Sequence, residues 1–116
     1  MTNKVTWSDL LVPPINLYSM PKMTITNTLE ERGKRYGSFM GHAKIAQGLK
    51  EIMWYVNDGG WDVLDPDQKQ ALEVIADKIA RILNGDPDYV DNWHDIQGYA
   101  KLVEDRLNEN KKGGAG

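Results

Sequence analysis

Apolar residues recur at helical spacing through most of the chain, and glycine-rich or polar breaks divide them into runs. Ile45, Leu49, Ile52, Met53 and Val56 follow one another at steps of 4, 3, 1 and 3, the period of an amphipathic helix. Leu72, Ile75, Ala76, Ile79, Ile82 and Leu83 form a nearly unbroken stripe, and Trp93, Ile96, Ala100, Val103 and Leu107 form another. The breaks carry start and stop signals. Thr28-Leu-Glu-Glu31 fits a capping box and predicts a short helix to about Tyr36, closed by Gly37. Ser38 is the next N-cap, and Asn57-Asp-Gly-Gly60 breaks the helix that follows. Asp65-Pro66 and Asp86-Pro87 each place an N-cap before a proline at the first helical position, and Gly85 stops the run between them.

No run alternates apolar and polar residues cleanly enough to predict a sheet. The expected fold is therefore all-α, a small bundle of about four helices. Helices over about 66–84 and 87–107 should be antiparallel because their connection is short. The expected core contains Leu49, Ile52, Leu72, Ile75, Ile79, Ile82, Ile96, Ala100 and Val103. Residues 1–23 read differently. Pro13, Pro14 and Pro21 oppose helix, yet Trp7, Leu10, Leu11, Ile15 and Tyr18 are too apolar for a solvated leader. This stretch is expected to be an extended apolar, proline-rich arm lying on the helices or on a neighbouring subunit. Residues 24–108 then form the helical domain, and 109–116 a polar, glycine-rich disordered tail.

Composition narrows the function classes. A chain of 116 residues fits one domain. The net charge of −3 argues against general nucleic-acid binding, which takes a basic face. No stretch approaches the length of a membrane span, and no apolar run follows Met1–Lys4 as a signal peptide requires. There is no cysteine, so disulfides, thiolate metal sites and thiol nucleophiles are excluded, and a reducing cytoplasm is the natural setting. With only His42 and His94 as imidazoles, a metal would more naturally be a hard ion held by carboxylates.

Such carboxylates exist at suggestive spacing. Asp91 and Asp95 are four apart and stack on one side of their helix, about 40° apart around its axis. Glu73 and Asp77 repeat the arrangement on the preceding helix. On adjacent antiparallel helices these four could form a cluster suited to Mg²⁺ or Mn²⁺, which would offset their mutual repulsion. Alternatively all four are solvated and screened by Lys78, Arg81 or Lys101. Lys78 and Arg81, three apart, are the candidate phosphate-binding residues.

Two stretches carry a family resemblance. Ile75-Ala-Asp-Lys-Ile-Ala-Arg-Ile-Leu-Asn-Gly-Asp-Pro87 and Asp91-Asn-Trp-His-Asp-Ile-Gln-Gly-Tyr-Ala100, with Arg35-Tyr-Gly-Ser38, resemble a family of small bacteriophage and prophage proteins of unknown function. More distantly, the order Tyr-Gly, Asp-Lys-x-x-Arg, Asp-x-x-x-Asp-Ile-x-x-Tyr-Ala is similar to the MazG-like proteins. Their active members are all-α, Mg²⁺-dependent nucleoside triphosphate pyrophosphohydrolases. The resemblance implies that Asp91 and Asp95 are catalytic metal ligands of the later helix, with Asp77 and Glu73 their counterparts on the earlier one. Lys78 and Arg81 would then bind phosphate. The enzymes' signature spaces its ligands three apart, as Glu-x-x-Glu and Glu-x-x-Asp, whereas the pairs here are four apart.

Two readings follow. In one the chain acts on nucleotides in the cytoplasm of a bacterial host as a pyrophosphohydrolase-like enzyme. In the other it is a non-enzymatic binder of a nucleotide signal or of a host protein. Both readings imply a homo-oligomer.

Overall fold

The computed structural model describes residues 24–113, and the side chains of residues 24–111. Helices α1 (Ile25–Tyr36), α2 (Phe39–Tyr55), α3 (Pro66–Asn84) and α4 (Val90–Gly113) make an all-α fold with no strand among the described residues. None of these helices is long and apolar enough to cross a membrane. The proposed arm, residues 1–23, lies outside the described residues.

Most of the local punctuation acts as the sequence predicts. The Ser38 hydroxyl accepts the Gly41 N–H at 3.1 Å and starts α2. At the start of α3 the Gln68 Oε1 accepts the Asp65 N–H at 2.8 Å and Asp67 Oδ1 accepts the Gln68 N–H at 3.0 Å, with Pro66 at the first position. Gly37 and Gly85 close α1 and α3. Three boundaries differ. The first helix begins at Ile25, because the Thr24 hydroxyl accepts the Asn27 N–H at 3.1 Å. Thr28 is therefore a buried residue inside α1 and not its cap. Pro87 does not open α4. The Asp86 carboxylate accepts the Asp88 N–H at 2.9 Å in a local turn, and the Trp93 indole donates to the Pro87 carbonyl at 2.8 Å, so the helix starts at Val90. At its other end α4 runs to Gly113, past the point where a tail was expected. The stretch from Asn108 to Lys112 holds no glycine or proline to stop it.

The four helices form the small bundle expected, an open one arranged as a layer around α3. α3 packs on α2 at one side and on α4 at the other, while α2 and α4 do not pack on each other. Both neighbours run antiparallel to α3. The contacts Lys50–Asp77 and Asn84–Ser38 set the direction of α2, and Lys78–Asp95 and Arg106–Asp67 set that of α4. The α1–α2 junction is pinned to the α3–α4 junction. Asn84 Nδ2 donates to the carbonyls of Tyr36 (2.6 Å) and Ser38 (2.8 Å), and the Asp86 N–H donates to that of Arg35 (2.8 Å). Glycine is required on both sides of this contact. A Cβ at Gly85 would run into the Arg35 carbonyl oxygen, and one at Gly37, whose φ is +75°, into that of Asn84.

This layer leaves a thin interior. The buried apolar residues are Ala46, Ala71, Ala76, Ala80 and Tyr99, so small side chains let the helices approach closely. None of the nine residues expected to form the core is buried; Ile52, Leu72 and Ala100 are exposed and the rest are half-buried. The stripes are real, but a helix between two flanking neighbours turns alanines toward them and keeps its large aliphatic edge open.

Candidate functional site

The side of the layer opposite the aliphatic edge carries the chain's organised polar chemistry. Successive residues on α3 point about 100° apart, so Asp77 and Lys78 reach different neighbours. Asp77 turns to α2, where Lys50 Nζ donates to its Oδ1 at 3.0 Å. Lys78 turns to α4, where its Nζ lies 2.8 Å from Asp95 Oδ2. The lysine is buried, at 4% relative exposure, and the aspartate side chain is at 13%. Burial holds the Lys78 ammonium below its ordinary pKa, with the hydrogen bond to Asp95 working in the opposite direction. Tyr99, one turn beyond Asp95, is buried too. Desolvation, and then the charge of Asp95, raise the pKa of its phenol.

Four more side chains form a ladder where the two junctions meet. The Arg81 guanidinium lies over the Tyr36 ring, 4.8 Å from its centroid. Tyr36 meets Tyr89 edge to face at 6.2 Å. Arg35 lies over the Tyr89 ring at 5.0 Å and donates to its hydroxyl at 3.0 Å. That hydroxyl donates in turn to Asp91 Oδ2 at 2.8 Å, which raises the Tyr89 pKa because the phenolate could not donate. Two guanidinium groups thus flank a pair of rings, an arrangement that holds planar cations by their π faces and leaves N–H edges for an acceptor. Among the described residues Arg81 enters no ion pair.

Each expected site residue can now be placed. Asp95 and Lys78 come together, but as partners of one another. Asp77 is taken by Lys50. Asp91 is exposed and bound by Tyr89, and Glu73 is half-buried and makes no ion pair among the described residues. The two acidic pairs do not converge: no group of three or more His, Asp or Glu among the described residues is placed to hold a metal ion. A Mg²⁺ site built from Glu73, Asp77, Asp91 and Asp95 therefore does not fit this structure. The cause is the position of α3, which separates Asp77 from Asp95, and the two lysines, whose ammonium groups stand where a cation would bind. Of the expected phosphate partners, Lys78 is committed inside the layer and Arg81 remains at its surface.

Sequence reasoning missed Lys50, Tyr89, Asn92 and the surroundings of His42, and had Tyr36 only as part of the motif Arg35-Tyr-Gly-Ser38. Asn92 is 1% exposed, and its Nδ2 has no partner among the described residues. A signal existed for two buried polar groups. Lys78 falls in period with Ala71, Ile75 and Ile82, and Asn92 with Ile96, Tyr99 and Val103. His42 has a buried, unpartnered Nδ1, and burial lowers its pKa while Asp77 opposes the shift.

No known family, characterised protein or solved structure matches this chain. The likeness to phage proteins and to MazG-like enzymes rests on the short motifs alone.

Proposed function

We propose that this chain is a non-catalytic binding protein whose polar side takes a nucleotide, or a similarly phosphate-bearing and aromatic small molecule, without hydrolysing it. The observation that carries this reading is the buried Lys78–Asp95 ion pair. Phosphoryl chemistry of the pyrophosphohydrolase kind needs ionised carboxylates free to hold metal. Here two of the four candidates, Asp95 and Asp77, already have ammonium partners at 2.8 and 3.0 Å. Binding needs less. A guanidinium edge suits phosphate oxygens, and a ring face suits a base; Arg81, Arg35, Tyr36 and Tyr89 supply both. The phage setting and bacterial cytoplasm implied by the sequence resemblance belong to the same proposal.

Two assays on the full chain test it. Wild-type protein with Mg²⁺ and a panel of NTPs and dNTPs should release no pyrophosphate. A bound member of the panel, at about 100 times its Kd, should add about 2.7 kcal/mol of stability. For a domain of this size that is a rise in Tm of roughly ten degrees or more in scanning fluorimetry. Mg²⁺-dependent pyrophosphate release would replace the proposal with the enzymatic reading. A Tm unmoved by every nucleotide, with or without Mg²⁺, would remove the ligand.

A further inference from the structure

The open aliphatic edge of α3 is flanked by apolar stripes on both neighbours. At about 100° per residue, Leu72, Ile79 and Leu83 point between the directions of α2, marked by Ala80, and of α4, marked by Ala71. They point away from the side on which Asp77 meets Lys50. The same count, applied from the α3-facing residues Ala46 and Tyr99, puts Ile52 of α2 and Trp93 and Leu107 of α4 on this edge's side of the layer. Their exposures are high: Ile52 59%, Leu72 41%, Leu83 67%, Trp93 51% and Leu107 36%. Taking about 200 Å² for a large side chain, these five leave roughly 500 Å² of apolar surface open. Half-buried neighbours such as Ile79 extend it toward the ~800 Å² per partner of a stable interface.

We propose that this face is the contact between two copies of the chain, and that the homodimer completes the core which one copy lacks. Three observations favour a second copy as the occupant. The α3 positions at its centre carry no charge, while the ion pairs of Asp77 and Asp95 lie inside the layer or toward its other side. A two-fold axis through the centre of the face therefore brings no charge of α3 into the contact. The open apolar area, with its half-buried neighbours, approaches what a dimer needs. The breadth also suits three helices meeting three helices. Their axes, 8–10 Å apart, span close to 20 Å, whereas a single extended peptide would cover a strip only about 5 Å wide.

Sedimentation equilibrium on the full chain, at protein concentrations from ~1 to ~100 μM, tests the proposal. The mass should approach twice the 13.1 kDa of one chain. Leu83→Glu and Ile52→Glu should each weaken the dimer by roughly 30-fold or more, with the helical circular dichroism kept, because both residues are exposed in the single copy. Should a glutamate variant lose its helical signal, Leu83→Ser and the concentration dependence of the wild-type Tm decide instead. A wild-type monomer throughout that range overturns the proposal. So does a dimer that both face variants leave intact, especially if Trp7→Ser with Leu10→Ser dissolves it, since the contact would then belong to the arm.

Discussion

Lys78 Nζ stands 2.8 Å from Asp95 Oδ2 in the contact between α3 and α4, with both side chains largely withdrawn from water. Taking two charges out of water is costly, and their attraction repays it only while both are present. Asp95→Asn should leave a buried ammonium without its counter-charge and cost about 3–5 kcal/mol. Lys78→Met combined with Asp95→Asn, which removes both charges with little change of shape, should cost far less than the sum of the two single changes. Urea denaturation of the wild type, the two single variants and the double variant gives this cycle directly. Additive single costs would mean that the pair is not coupled.

The interlocked junctions make a second prediction. Gly85→Ala would press a methyl group into the Arg35 carbonyl, and neither backbone can yield without separating α1 from the end of α3. A loss of about 1–3 kcal/mol is expected from overpacking of this kind. Gly48→Ala is the comparison, since a Cβ there meets nothing within 4 Å. Inside α2 that change should be neutral or stabilising, by up to about 1 kcal/mol. Thermal melts of the two variants should move in opposite directions.

The helices and most of their caps were legible because they are local. Ser38, Asp65 with Pro66, Gly37 and Gly85 act within a turn of their own position. The site was not, because spacing along one helix says which residues share a side, not what that side faces. Glu73 and Asp77 were read as one half of an acidic cluster from their separation of four. What decides the chemistry of Asp77 is Lys50, 27 residues away, brought there by the packing of α2 on α3. The expected core was met only in part, for the same reason: Ile75 and Val103 pack against Ala71 and Tyr99 but stay half-buried. Periodicity located the aliphatic stripe of α3 correctly but could not show that its alanines would be the fully buried members.

Acid should destabilise the fold in two steps. His42 has a pKa below its ordinary 6.5 in the folded chain, chiefly through burial. Between that lowered value and 6.5 the unfolded chain binds more protons, so stability falls as pH drops through this window. Asp67 is held below its ordinary 3.8, first by the hydrogen bonds from Arg106. Its contribution is complete above 3.8 and is lost as pH falls through the lowered folded value. Urea midpoints measured from pH 7 to pH 2.5 should show both declines. His42→Gln should remove the upper one and Arg106→Gln should flatten the lower one. An unchanged slope in either variant would assign the decline to another group.

The last prediction separates the two guanidinium groups of the ladder. Arg35 is shared among the Tyr89 ring, the Tyr89 hydroxyl and Glu31, whose Oε1 lies 3.3 Å from its Nη2. Arg81 has the Tyr36 ring and no carboxylate among the described residues. Its charge is therefore the one still available to an anionic ligand. Arg81→Gln should lower the affinity for a stabilising nucleotide by about 10-fold or more, the loss of one charge-assisted contact. Arg81→Lys should recover only part of this, because an ammonium keeps the charge but not the planar fork that lies on Tyr36. Arg35→Gln should reduce the ligand-free Tm through its lost contacts and change affinity less. Isothermal titration of the three variants with the nucleotide that most stabilises the wild type reads these effects separately. Equal losses in Arg81→Gln and Arg35→Gln, with a full recovery in Arg81→Lys, would mean that the site senses only net charge and that the ring-stacked geometry plays no part in recognition.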